Sequence, residues 1–247
     1  MDAKAHYNNI KQAYESLDSQ LEQVLQALGR RRGEVLILGV SKNSSIYEID
    51  AAHQAGCCAF GENRPDVLAE KFKERPHYTW HFIGNIQSRQ IPKIVACSSL
   101  IHSLYKIEHL HKINKVAANL GKVQECLVQV DISCEESKSG CRVEDLAALL
   151  DEAQALNNVR IIGLMTMAPK SPESWIVATF KGLESLRTEL LKRYPLDKAN
   201  ALHSSVSLKE LSSGMSQDWQ CAIQYGSTII RIGRSLFSPE EFKLHKD

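Results

Sequence analysis

The first strongly apolar stretch of the chain reads Glu34-Val35-Leu36-Ile37-Leu38-Gly39-Val40-Ser41-Lys42. Its length and lack of polar interruption are typical of a parallel strand that is buried on both faces. Lys42 follows where such a strand ends, and a lysine partly removed from water there can lose its proton and form a Schiff base. Taken alone, Lys42 is more commonly interpreted as an ordinary charged residue at a strand end. Support for Schiff-base chemistry therefore has to come from other parts of the sequence.

The same alternation of apolar run, polar turn and helical stretch continues along the chain, which is typical of βα units. An amphipathic helix that ends at 29–33 comes first. The predicted strands are 35–40, 57–60, 79–83, 100–104, 126–132, 159–167, 208–212 and 228–232. The predicted helices between them are 45–55, 64–74, 106–119, 143–156, 173–193 and 216–225.

Eight such units in 247 residues match the size of a closed (β/α)8 TIM barrel, an α/β fold. A doubly wound open sheet is the alternative, but no Gly-x-Gly-x-x-Gly motif follows the first strand. The last predicted strand ends near Gly233, which leaves room only for a turn and a short helix. Since no linker is apparent, we expect one domain over 1–247.

The composition indicates a globular protein with a small-molecule partner. The chain is 43% hydrophobic and carries a net charge of +1, so no strong field favours nucleic acid or a membrane surface. No apolar stretch is long enough to span a bilayer and the N-terminus lacks a signal-peptide core, so we expect a cytoplasmic protein. A barrel with no dimerising domain favours a monomer.

The cysteines indicate reduced thiols. There are seven, an odd number, and no Cys-x-x-Cys pair suggests a zinc site, so no metal is expected. Cys134 and Cys141 flank a polar loop and could approach each other, whereas Cys57 and Cys58 are expected to be core thiols near strand two.

The loops after predicted strands seven and eight are where barrels of this kind often hold phosphate. The stretch 211–216 reads Leu-Ser-Ser-Gly-Met-Ser, and 231–235 reads Arg-Ile-Gly-Arg-Ser. Glycines let backbone N–H groups approach an anion, and a helix start adds its positive dipole end, so together they suggest a phosphate cup. The alternative is that Ser216 caps a helix and Gly233 eases a turn. The sequence favours neither.

Arg231 interrupts the apolar run of predicted strand eight. A charged guanidinium inside a barrel needs an acceptor, which is commonly a carboxylate and more rarely a heteroaromatic ring nitrogen.

Other polar and large side chains also fall near strand ends. Asn63 closes strand two, where it can bind a ligand or cap the helix that begins near Pro65. His81, Phe82 and Met165 are expected to fill the barrel or its rim, where they can touch the edge of a ligand.

A strand-end lysine, a phosphate cup and a buried arginine together fit pyridoxal 5'-phosphate. Lys42 would form a Schiff base with the aldehyde, the phosphate cup would bind the phosphate, and the ring nitrogen would face Arg231.

Several motifs, in order from about residue 35 to residue 237, resemble the YggS/PROSC family of pyridoxal-phosphate homeostasis proteins. Their number and order make the resemblance far more specific than any one short motif. They are Gly39-Val40-Ser41-Lys42, Phe60-Gly61-Glu62-Asn63, Trp80-His81-Phe82-Ile83-Gly84 with Gln87-Ser88, Ile101-His102-Ser103, Gly163-Leu164-Met165, Leu211-Ser212 with Gly214-Met215-Ser216, and Gly226-Ser227-Thr228 leading to Arg231-Ile232-Gly233.

The resemblance implies a barrel like that of alanine racemase (fold type III), with pyridoxal phosphate held as a Schiff base on Lys42. It implies a role in vitamin B6 homeostasis, in which the protein buffers the cofactor or delivers it to apo-enzymes without robust catalysis. Arg234 departs from the family, which has Thr or Ser there. The residues expected to bind the cofactor are Lys42, Asn63, Met165, Ser212, Arg231, Gly233 and Arg234.

There is a physical reason why this protein could bind pyridoxal phosphate without catalysing a reaction. An arginine at the pyridine nitrogen disfavours its protonation, so the ring is a weak electron sink. A low-activity amino-acid racemase is the alternative, although related racemases take a second acid or base from another domain and a partner subunit. Tyr47 and Tyr105 could substitute, but rim packing is the commoner role. A Schiff-base aldolase that uses Lys42 without a cofactor is a third alternative.

Overall fold

A closed barrel of eight parallel strands, paired in sequence order, forms the centre of the molecule. The computed structural model describes residues 3–132, 139–170, 172–195 and 205–239. The strands are β1 Leu36–Val40, β2 Ala59–Glu62, β3 Thr79–Phe82, β4 Leu100–Leu104, β5 Gln124–Gln129, β6 Val159–Met165, β7 Val206–Met215 and β8 Ile229–Ile232. The predicted (β/α)8 barrel is therefore confirmed.

Helices follow the strands around the outside of this barrel. Helix α4 was not among the predicted helices, and Pro92 lies in its first turn. Proline is tolerated in the first turn of a helix, where its missing N–H has no intrahelical partner, and α4 places it there. The helices are α1 Ala3–Ala27, α2 Ile46–Gln54, α3 Pro65–Glu74, α4 Ile91–Cys97, α5 Ile107–Asn119, α6 Val143–Gln154, α7 Glu173–Arg193, α8 Trp219–Gln224 and α9 Arg234–Phe237.

The predicted bounds of β7 and α8 were wrong. Strand β7 continues to Met215, beyond the predicted end at Ser212, and α8 begins only at Trp219. The register of β7 against β8 shifts between Ser212 and Met215, and Gly214 adopts a φ of 90° there. The strand thus carries its hydroxyl residues further toward the mouth of the barrel than a five-residue strand would.

Among the described residues there are two main apolar cores and a third, small cluster of Ala168, Phe180 and Ala222. The larger core lies between the barrel and its helices and includes Phe60, Trp80 and Phe82. The smaller core takes one buried residue from each of six strands, which identifies it as the barrel interior because alternate strand residues point inward. Its members are Leu38, Ala59, Leu100, Leu127, Met165 and Ile229.

Close backbone approach fixes two of the strand contacts. A Cβ on Gly163 would lie 1.9 Å from the main-chain oxygen of Glu210, and a Cβ on Gly84 would lie 2.0 Å from that of Asn63. Only glycine fits at such distances. Gly163 therefore sets how closely β6 approaches β7, and Gly84 sets how closely the end of β3 approaches the end of β2.

The N-terminal helix α1 packs outside the barrel, as predicted. The hydroxyl of Tyr14 donates a hydrogen bond of 3.1 Å to the carbonyl of Gly56, and His6 contacts Glu48 of α2 at 2.8 Å. No helix in the described part of the chain is long and apolar enough to cross a membrane.

Candidate functional site

The predicted site residues gather at the C-terminal end of the barrel. Lys42 and Asn63 follow β1 and β2, whereas Met165 ends β6. Ser212 and Arg231 lie within β7 and β8, and Ser212 is the direct neighbour of Met165 in the sheet. Because all eight strands are parallel, their ends meet on one face, which is where barrel enzymes and binding proteins hold their ligands.

Lys42 is exposed to solvent. Strand β1 ends at Val40, so Lys42 lies in the turn before α2 rather than on the strand itself. The expectation that this side chain is partly desolvated was therefore wrong. No hydrogen bond or ion pair engages Lys42 within the described residues, so its amine is open to a ligand that enters from solvent.

A buried ion pair supports the turn that carries Lys42. Glu62, at the end of β2, is fully buried, and its Oε1 lies 2.5 Å from Nζ of Lys71 on α3. The same ammonium donates a hydrogen bond of 2.7 Å to the carbonyl of Ser41, whose hydroxyl donates to Glu62 at 2.9 Å. Lys71 was not predicted to belong to the site, although its partner Glu62 lies in the motif Phe60-Gly61-Glu62-Asn63. A carboxylate in a buried strand was the available signal, because such a charge needs a partner.

Arg231 is a buried cation whose partners are neutral. Its guanidinium donates hydrogen bonds of 2.7 Å to the hydroxyl of Ser212 and 3.0 Å to the carbonyl of Thr166. The commoner expectation, a carboxylate partner, is not met: no ion pair to Arg231 forms within the described residues. Burial lowers the pKa of Arg231 to about 10, and the charge of Asp218 opposes that shift. A guanidinium has five N–H donors, so Arg231 has capacity for a further acceptor.

Two histidines continue this hydrogen-bonded group through the barrel. His102 on β4 is fully buried, and its Nδ1 lies 2.9 Å from the hydroxyl of Ser212. Its Nε2 lies 3.0 Å from Nδ1 of His81 on β3. Burial lowers the pKa of His81 to about 4. Burial, together with the nearby His81 and Arg231, lowers the pKa of His102 well below its usual value. His81 fills the barrel as predicted, whereas no role was predicted for His102.

The loops after β7 and β8 contact each other, as the proposed phosphate cup requires. The Ser216 hydroxyl accepts a hydrogen bond of 3.4 Å from the backbone N–H of Ser235. Ser216 does not cap α8, because Asp218 holds the N-cap position, so the expectation that Ser216 is a helix cap was wrong. Gly233 precedes α9, and a Cβ there would meet Val40 only at ordinary contact distance, 3.4 Å. Phosphate binding by these loops stays a prediction.

The remaining predicted residues differ in exposure. Asn63 is exposed and does not cap α3, whose N-cap position is held by Arg64, so the capping alternative was wrong. Met165 is buried in the interior core, which confirms its barrel-filling role and leaves its ligand contact a prediction. Arg234 is exposed at the first position of α9.

The cysteines do not form a site among the described residues. Cys57 is buried as expected, but Cys58 is exposed, so the expectation that both are core thiols was wrong. Cys141 is buried, which raises the pKa of its thiol to about 11, whereas Cys134 lies outside the described residues. No group of three or more potential metal ligands occurs in the described ranges.

Sequence comparison relates the chain to known proteins along most of its length. The family model for the alanine racemase N-terminal domain matches residues 15–240. A pyridoxal phosphate homeostasis protein of Aquifex aeolicus is 34% identical over 237 residues, which cover 93% of this chain and 99% of that protein. A second pyridoxal phosphate homeostasis protein, from Synechocystis, is 36% identical over 208 residues, which cover 82% of this chain and 90% of that protein.

Comparison of structures gives the same relationship. PipY of Synechococcus elongatus PCC7942, in a structure described as having PLP bound, superposes with a TM-score of 0.79 at 32% identity and covers 92% of this chain and 99% of PipY. An alanine racemase from Corynebacterium glutamicum has a TM-score of 0.68 at 12% identity, covering 93% of this chain and 60% of the racemase. The second likeness concerns the fold alone.

Proposed function

The chain belongs to the family of pyridoxal phosphate homeostasis proteins, with the barrel of the alanine racemase N-terminal domain, and we propose that it binds pyridoxal 5'-phosphate at the barrel mouth. The observation that carries this proposal is Arg231, a buried guanidinium with only neutral partners in the described part of the molecule. A desolvated cation with spare donors favours a ligand that brings negative charge or a lone pair.

The residues at the mouth fit the three functional groups of this cofactor. The exposed amine of Lys42 is suited to a Schiff base with the aldehyde, because an open amine is reached without displacing another contact. The ring nitrogen would face Arg231. Backbone N–H groups of the linked loops after β7 and β8, together with Ser212, would bind the phosphate, with Gly233 and Arg234 beside it. Asn63 and Met165 complete the proposed contacts.

We propose a role in cofactor storage and delivery rather than in catalysis. Bound pyridoxal phosphate supplies an aldehyde that amines attack and a ring that withdraws electrons. Arg231 weakens the second property, because a cation next to the ring nitrogen disfavours its protonation. The protein would act as a monomer in the cytoplasm, buffer a reactive aldehyde and release it to apo-enzymes. Its curated relatives are named homeostasis proteins, which supports this choice.

A spectroscopic titration tests binding and its attachment point. We expect a visible Schiff-base band when the protein is mixed with pyridoxal phosphate and desalted, and no such band in Lys42→Ala. The matched control is Lys106→Ala, since Lys106 is another exposed lysine just after a strand, and it should retain the band. A band that survives in Lys42→Ala contradicts the proposal.

Two further assays separate storage from catalysis. Loaded protein mixed with an apo-enzyme should restore that enzyme's activity, whereas protein that has been loaded and then reduced with borohydride should not. Incubation with L-amino acids in D₂O should show no Lys42-dependent exchange at Cα. Exchange across the panel would instead support the low-activity racemase.

A further inference from the structure

Four polar side chains from four strands form one hydrogen-bonded row inside the barrel. From β3 to β8 they are His81, His102, Ser212 and Arg231, joined at 3.0, 2.9 and 2.7 Å. Each is at least nine-tenths buried. Burial favours the uncharged form of both histidines, so each ring carries a single N–H at neutral pH. Each histidine therefore supplies only one N–H to the hydrogen bonds of this row.

Only two arrangements satisfy every bond in this row, because Arg231 always donates to Ser212. In the inward arrangement, the Ser212 hydroxyl donates to Nδ1 of His102, and Nε2–H of His102 donates to Nδ1 of His81. In the outward arrangement, Nδ1–H of His81 donates to Nε2 of His102, and Nδ1–H of His102 donates to Ser212. The Ser212 proton is then unused within the row and can point into the mouth.

We propose that an anionic group bound at the mouth selects the outward arrangement, so that His81 and His102 act as positioning residues that make Ser212 a hydrogen-bond donor to the cofactor. This inference rests on the proposed binding of pyridoxal phosphate. The anionic oxygens of that ligand accept hydrogen bonds but cannot donate them, so an inward hydroxyl at Ser212 would face them with a lone pair. Hydrogen bonds to a charged acceptor are stronger than those between neutral groups. Binding of an anionic ligand can therefore favour the outward arrangement over the inward one.

The change between arrangements conserves protons if both ends of the row exchange with solvent. Ser212 passes its proton to Nδ1 of His102, and Nε2 of His102 passes its proton to Nδ1 of His81. His81 releases a proton from Nε2, and Ser212 takes one up from solvent at the mouth. No bond between heavy atoms is made or broken, and no oxidant or reductant is needed.

His81, the residue from which the row would release a proton, lies next to an open cavity. His81 lines a cavity of about 880 Å³ at the N-terminal end of the barrel, and Nε2 of His81 forms no hydrogen bond within the described residues. Arg31 also lines this cavity and has a side chain that is 89% exposed, so the cavity reaches the protein surface. The row thus joins the proposed cofactor site to solvent on the opposite side of the barrel.

Nitrogen NMR of the histidine side chains tests the inference directly. Protein labelled with ¹⁵N-histidine is compared with and without saturating pyridoxal phosphate at neutral pH, and His81→Asn and His102→Asn assign the signals. In the loaded protein we expect Nδ1 to be the protonated nitrogen of both rings. Protonated Nε2 on His102 in the loaded protein would overturn the inference. Absence of cofactor binding would instead refute the proposed function, so the two failures are distinguishable.

Affinity measurements provide a second test that does not depend on signal assignment. His102→Phe should weaken binding of pyridoxal phosphate about tenfold, and His102→Gln should recover part of the loss because its amide can donate to Ser212. The control is His109→Phe, because His109 is a buried histidine outside the row. Equal affinities for wild type, His102→Phe and His102→Gln would overturn the inference.

Discussion

Lys71 donates a hydrogen bond of 2.7 Å from its ammonium to the main-chain carbonyl of Ser41, the residue that precedes Lys42. The same ammonium is paired at 2.5 Å with Glu62, which is fully buried. The two lysines next to this turn thus differ: Lys71 is buried and fixed by two acceptors, whereas Lys42 is exposed. A buried cation that holds the turn lets the exposed lysine present its amine from a defined backbone position.

Removing the buried cation should destabilise the protein strongly. Lys71→Met leaves Glu62 buried without its counter-charge, so we expect the free energy of unfolding to fall by about 3–5 kcal/mol. Urea denaturation measures this. Lys73→Met is the matched control, because Lys73 is an exposed lysine of the same helix, and it should change stability by less than about 0.5 kcal/mol. Adding Glu62→Gln to Lys71→Met should recover part of the loss. Equal stability of Lys71→Met and Lys73→Met would contradict the stabilising role of the buried ion pair between Lys71 and Glu62.

Arg231 should matter more for the ligand than for the fold. Arg231→Met removes a desolvation cost together with two hydrogen bonds, so we expect the free energy of unfolding of the ligand-free protein to change by less than about 2 kcal/mol. The dissociation constant for pyridoxal phosphate should rise at least about tenfold. Equilibrium dialysis and urea denaturation measure the two effects. Arg187→Met, at a half-buried arginine on α7, should leave binding unchanged. An Arg231→Met variant that binds normally would refute the proposed role.

The buried histidines should make the protein sensitive to acid. The pKa of His81 falls from 6.5 to about 4 on folding, so the unfolded chain binds more protons between these values. The stabilising contribution is therefore complete above pH 6.5 and is lost as the pH falls toward 4, by about 3 kcal/mol for His81 alone. Urea midpoints of wild type and His81→Asn across this range measure the difference. The wild type should lose more stability on acidification than the variant, and parallel pH profiles would exclude this contribution.

Close approach of β6 to β7 should not tolerate a side chain at Gly163. Gly163→Ala would bring a Cβ within 1.9 Å of a main-chain oxygen, so we expect a loss of about 1–3 kcal/mol or more. Gly233→Ala is the matched change near the proposed phosphate cup, where the nearest atom is 3.4 Å away, and it should be much milder. Thermal unfolding of both variants measures this difference. Equal melting temperatures would contradict the packing described between the two strands.

Local patterns predicted the fold well because each strand and helix is encoded by its own periodicity. Strand β4 was predicted at its observed bounds, since an apolar run between polar turns defines both of its ends. The end of β7 was predicted too early, because Ser212-Ser213-Gly214 reads as a loop when the residues that cover it are unknown. In the barrel those serines are buried beside other polar groups.

The site was predicted less completely, because much of it depends on contacts between distant segments. His102 and Ser212 are 110 positions apart, and no local pattern relates them. Arg231 and Ser212 were identified individually, but the hydrogen bond between them was not. The exposure of Lys42 was also misjudged, because the end of β1 at Val40 moves the side chain from the strand into a turn.

Peptide mapping determines whether Lys42 is the residue that carries pyridoxal phosphate. The protein is loaded with pyridoxal phosphate, reduced with borohydride, digested and examined by mass spectrometry. We predict a single phosphopyridoxyl group on the peptide that contains Lys42, and none on the peptide that contains the buried Lys71. Modification mainly at other lysines, with an unmodified Lys42, would contradict the claim.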